Sequence, residues 1–120
     1  MATLFNPKVF MSVHQQLQTA LLELEAAMKA ANLWRTPTPE ASAFASQQPF
    51  CIDTMSLPQW VRYVFIARLN ALIDAKAAMP AKCDVAPAVA AYMMQEKLRA
   101  SDQVLVVKAV ERVDQIVTEN

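Results

Sequence analysis

Pro49-Phe50-Cys51-Ile52-Asp53-Thr54-Met55-Ser56-Leu57-Pro58-Gln59-Trp60 reads as a loop that launches a helix. Ser56 with Gln59 three positions on makes a capping box, in which hydroxyl and amide side chain each satisfy a free backbone N–H of the first turn. Met55 before the cap and Trp60 inside the helix are spaced for a hydrophobic staple. Pro58 falls in the first turn, where the missing N–H has no intrahelical partner to lose. The spacing predicts a helix from Leu57 to about Lys76.

At about 100° per residue, Leu57, Val61, Val64, Leu72 and Ala75 share one face, widened by Phe65 and Leu69 on one side and by Trp60 and Ala71 on the other. Gln59, Arg62, Asn70 and Asp74 keep a narrower polar strip, interrupted by Ile66 and Ile73. A helix this apolar is normally surrounded by others, so this one is expected at the centre of the fold. Arg68 projects into the middle of its apolar face. A guanidinium buried there needs a partner, because desolvation costs several kcal/mol per ion. Asp53 is the expected carboxylate, with Glu25 or loop carbonyls as alternatives. Roughly 18 Å of helix rise separates Ser56 from Arg68, so the pairing requires the loop to fold back. Arg68 then either clamps the loop or meets a ligand or partner.

The chain has 120 residues, 55% hydrophobic and 18% charged, with eleven basic and eleven acidic side chains. That length supports one domain over 1–120 with one modest core. Balanced charge removes the usual footprint of a nucleic-acid binder. The chain contains no glycine, which excludes Gly-rich phosphate loops, dinucleotide fingerprints and the nucleophile elbow. Two cysteines 32 positions apart and a single histidine cannot supply a four-ligand Cys/His zinc site. Both thiols read as free in a reducing cytosol, and no cofactor is expected. The longest apolar stretch, Val85 to Met94, is too short to span a bilayer. A cytoplasmic protein with no membrane partner is expected.

Before the central loop, Asn6-Pro7 predicts a helix start, and Phe10, Val13, Leu17, Leu21, Leu24, Met28 and Ala31 continue at helical spacing to about Asn32. His14 lies at the edge of that stripe. Two Thr-Pro units between Trp34 and Glu40 force an extended link, followed by a short helix through Phe44. Trp34, Phe44 and Phe50 read as pegs holding this irregular segment, or as a ligand-binding aromatic cluster. Asp84 is expected to cap a helix from Val85 to Arg99. A last helix runs from Ser101-Asp102 to about Thr118, with Leu105, Val106, Ala109, Val110, Val113, Ile116 and Val117 on one face. The fold class is therefore all-α: an up-and-down bundle of about four main helices, plus a short helix between the first and the central one.

Leu33-Trp34, Ala43-Phe44, Gln48-Pro49-Phe50, Asp53-Thr54-Met55, Leu57, Trp60, Ile66, Arg68, Pro80 and Val85-Ala86-Pro87 together resemble the YqcC-like family of small bacterial proteins. The likeness runs from about residue 10 to 95 and is weakest in the last helix. It implies the same all-α bundle. Genes of that family often lie beside one for a tRNA pseudouridine synthase, which implies a link to RNA metabolism by context alone; the chain shows no pseudouridine-synthase fold pattern.

Function is less legible. A non-catalytic interaction protein, self-associating or docking on another protein, is expected from apolar residues on polar faces: Met11, Leu22, Ile66, Ile73 and Val107. The alternative is a bundle pocket for a small apolar or anionic ligand near Arg68 and Trp60. The candidate ligand or partner site comprises Trp34, Phe50, Asp53, Trp60 and Arg68. No catalytic or metal-ligating set is expected: His14 and Asp53 are the only tempting acid–base groups, and catalysis needs a constellation. Nucleic acid is a weaker candidate partner, through Arg35, Arg62, Lys82 and Trp34.

Overall fold

A computed structural model describes residues 12–119; the start signal at Asn6-Pro7, Phe10 and Met11 lie outside them. Among the described residues there are four helices and no strand. Helix α1 is Val13–Ala30. Its start is a capping box at Ser12 and Gln15, which bond each other's backbone N–H at 3.1 and 3.0 Å. Short 3₁₀ turns follow at Ala41–Ala45 and Pro49–Cys51. Helix α2 spans 57–74 and is interrupted: Leu57–Trp60 is α-helical, Val61–Ile66 is π-helical, and Ala67–Asp74 is α-helical again. Helix α3 is Ala86–Gln95 and α4 is Ala100–Thr118.

The second capping box forms as the sequence predicts. Gln59 N–H donates to Ser56 Oγ at 3.2 Å, and Ser56 N–H donates to Gln59 Oε1 at 2.8 Å. Met55 is buried in a small cluster with Ala43, Cys51 and Val64, against which Trp60 packs.

Helices normally stop with a glycine in the left-handed region, and here none exists. Asn32, Lys76 and Lys97 take that conformation instead, at φ 62°, 51° and 57°. Each ends its helix with the same pair of bonds, from its own N–H and from the next one: Leu33 to Met28 O, Ala77 to Leu72 O and Leu98 to Met93 O.

The helices alternate in direction. Met28, Leu57, Met93 and Val106 share one small cavity, so the C-terminal ends of α1 and α3 meet the N-terminal ends of α2 and α4. At the opposite end His14 Nε2 donates to Ala77 O at 2.7 Å, and the loop before α3 is bonded to the last turn of α4. The up-and-down bundle is thus as expected, but its centre is not α2. The large side chains that are wholly buried lie on α1 (Leu17, Leu24, Met28), α3 (Met93) and α4 (Val106, Val110, Val113, Val117). α1 packs most extensively on α4. Leu105, assigned to the core face of α4, is 49% exposed.

The π-helical turn explains two further departures. A segment with i→i+5 bonds holds more residues per turn than an α-helix, so residues beyond it lag by a large fraction of one residue's step of about 100°. Ile66, expected on the polar strip, is turned into the core. Arg68, expected in the apolar face, is turned out and exposed. Its predicted burial and clamp on Asp53 are both overturned.

Candidate functional site

The residues around Arg68 enclose a cleft of about 680 Å³, open to solvent on one side. Trp60, Phe65, Leu69 and Leu72 of α2 give one wall, Phe50 of the central loop a second, and residues 80–85 a third. Phe50 meets the Trp60 ring edge-on at 4.9 Å, and Trp60 stacks on Phe65 at 5.5 Å. These rings meet because the chain bends sharply before α2. Phe50 and Cys51 are consecutive left-handed residues at φ 58° and 49°. That conformation costs an L-residue about 1–2 kcal/mol. The bend is held by Cys51 N–H on Gln48 O at 3.0 Å and by Thr54 Oγ1 donating to Ala43 O at 2.8 Å.

The wall formed by 80–85 depends on α4. Asp114, buried, accepts from Val85 N–H at 2.9 Å, from Ala86 N–H at 2.8 Å and from the Cys83 thiol at 3.2 Å. A carboxylate at the start of α3 satisfies amides with no intrahelical partner and faces the positive end of the helix dipole. Asp114 therefore supplies the cap expected of Asp84, which is exposed. Thr118 Oγ1, one turn later, accepts from Cys83 N–H and donates to Cys83 O. Both cysteines are free thiols. Burial, then the hydrogen bond to Asp114 and the charges of Asp114 and Asp84, push the Cys83 thiol up to about 12.

Of the five candidate residues, Phe50, Trp60 and Arg68 line this cleft; Trp34 and Asp53 do not. Asp53 accepts from Ser46 Oγ, which fixes the loop internally. Trp34 packs beneath Arg62, whose guanidinium lies 4.4 Å from the ring centre and donates to Trp34 O at 2.6 Å. Gln59 and Tyr63 bond the carbonyls of Pro37 and Thr36, so the polar strip of α2 holds the extended link. Trp34 and Phe50 are pegs as expected, whereas Phe44 is 42% exposed. Lys82 lies in the cleft with Arg68, apart from Arg62 and Trp34. Its place, like those of Cys83 and Asp114, carries no local sequence signal, because contacts between distant segments set it. Among the described residues no group of three or more His, Cys, Asp or Glu side chains could hold a metal. No helix among them is long and apolar enough to cross a membrane.

The family profile DUF446, described as tRNA pseudouridine synthase C, matches residues 16–116. The chain belongs to the YqcC-like family. An uncharacterised protein of Haemophilus influenzae is 39% identical over 83 residues, covering 69% of this chain and 78% of that one. YqcC of Escherichia coli is 36% identical over 77 residues. Its solution structure superposes with a TM-score of 0.76 over 91% of both chains, at 28% identity. A protein of Pectobacterium carotovorum named tRNA pseudouridine synthase C is 37% identical over 70 residues, which make up 19% of its length. Most of that relative has no counterpart in this match.

Proposed function

We propose that this YqcC-like protein is a non-catalytic interaction module that docks on a tRNA pseudouridine synthase. The observation that carries the reading is the Pectobacterium relative, in which a stretch like this bundle is a fifth of a protein bearing the synthase name. Two modules joined in one chain in one organism commonly associate as separate chains in another. The description of the family profile points the same way.

The geometry supports a binding rather than a chemical role. His14 is engaged with the Ala77 carbonyl and Asp53 with Ser46, at separate places in the fold. We assign the docking face to the groove where α1 meets α4. Ala26, Ala27, Leu105 and Ala109 line a groove of about 520 Å³ with Glu23, Lys108 and Arg112 at its margins. Leu22 and Val104, 62% and 54% exposed, lie one helical turn before Ala26 and Lys108. Contiguous apolar surface rimmed by charge is the usual mark of a protein interface.

The test uses the tRNA pseudouridine synthase C of the organism that encodes this chain. Mixed at about 10 μM, the two proteins should co-elute as one complex, since transient interfaces commonly have micromolar affinity. Val104→Glu with Leu105→Glu should weaken the complex at least about tenfold, because charge would be placed in the desolvated patch. Independent elution overturns the proposal, and a complex indifferent to both substitutions moves it off this face.

A further inference from the structure

The cleft beside α2 differs in chemistry from the α1–α4 groove. Phe50, Trp60, Phe65, Leu69, Leu72 and Val85 give it an apolar interior. The Cys83 thiol, which also lines it, donates to Asp114. Its charged lining is Arg68, Lys82 and Asp84, so two cations face one carboxylate. Neither Arg68 nor Lys82 forms an ion pair with a carboxylate among the described residues.

We propose that the cleft binds an anionic amphiphile, an apolar chain or ring system carrying one carboxylate, with its body against the Trp60 and Phe65 rings and its head between Arg68 and Lys82. The volume falls within the range of about 300–1,000 Å³ typical of small-ligand sites. A nucleotide or sugar does not suit it, since such ligands need several convergent hydrogen-bonding groups and no amide, hydroxyl or imidazole side chain lines the cleft. A neutral apolar ligand would leave the two cations without a role, and a cationic one would meet them. The site is also built rather than incidental. The left-handed Phe50 aims its ring at Trp60, the π-helical turn sets Arg68 on the rim instead of in the core, and Asp114 with Thr118 fixes the opposite wall. Local strain of this kind concentrates at ligand sites.

The test is calorimetric titration of the full chain with dodecanoate below its micelle concentration, beside dodecanol and dodecyltrimethylammonium. Dodecanoate should bind one to one, about tenfold or more tighter than dodecanol, the increment expected of a charge-assisted hydrogen bond. The cationic amphiphile should bind weakest. Arg68→Gln and Lys82→Gln should each bring dodecanoate toward dodecanol while leaving dodecanol unchanged, which also shows the cleft intact. Ala71→Phe, placing bulk in the cleft from an exposed position, should weaken both. Equal affinity for dodecanoate and dodecanol, no binding of dodecanoate, or binding that survives Ala71→Phe overturns the proposal. Val104→Glu with Leu105→Glu should not affect this titration, so this site and the synthase-docking face fail separately.

Discussion

Cys83 is a thiol whose neighbours hold its proton in place. It is half-buried, donates to Asp114 and sits beside two carboxylates, so its titration is raised to about 12. At pH 8 only about one such thiol in ten thousand is a thiolate, the reactive form. Cys83 in the folded protein should therefore resist iodoacetamide at pH 8 under conditions that fully alkylate the unfolded chain, as read by peptide mass spectrometry. Asp114→Asn should speed its alkylation about tenfold or more. The same shift has a consequence for stability. A thiol with a folded value above its ordinary 9.0 stabilises the fold in its protonated state. That contribution is complete below about pH 9 and is lost as pH rises toward 12. The urea midpoint should fall across that interval, less so in Cys83→Ala.

At the scale of single helices, local signals and tertiary ones separate cleanly. The capping box at Ser56 and Gln59 is legible because all its atoms lie within four residues. Ser12 and Gln15 have the same spacing, although the sequence analysis did not single them out, and their capping box opens the helix Val13–Ala30. The π-helical turn is not legible: Val61–Ile66 contains no proline, and α-helical periodicity fits its residues when taken alone. Only packing on α1 and on the loop cluster shows which residues must turn inward. One misread turn then misplaces Ile66 and Arg68 together, and with Arg68 goes the expected clamp on Asp53. Helix ends carry a different lesson. Left-handed backbone is costly for lysine and almost free for glycine. Lys76→Gly, at φ 51° on an exposed residue, should stabilise the protein by about 0.5–1 kcal/mol, seen as a rise in thermal midpoint of a few degrees. Lys97→Gly should behave alike.

For the molecule as a whole, the bundle class was readable from helical spacing, but the axis around which it is built was not. Apolar breadth pointed to α2, whereas the wholly buried side chains belong to α1, α3 and α4. Part of the breadth of α2 lies at the edge of the core: Leu72 and Trp60 are half-buried, pack against the core and also line the cleft. Urea unfolding should rank the two helices accordingly. Leu24→Ala, at a wholly buried position, should cost about 2–5 kcal/mol. Arg68→Met should change stability by no more than about 0.5 kcal/mol, as expected of an exposed side chain. A large loss at Arg68 would return the guanidinium to a structural role.

The bonds from Asp114 and Thr118 to residues 83–86 span 28 to 35 positions of sequence. During synthesis the loop is made first and its anchors arrive only with the final helix, several seconds later at bacterial rates of about 5–20 residues per second. Until then the third wall lacks its side-chain hydrogen bonds to the last helix. A growing chain lacks these anchors until the last helix is made, so recognition of the proposed ligand would be confined to molecules whose translation has passed Thr118.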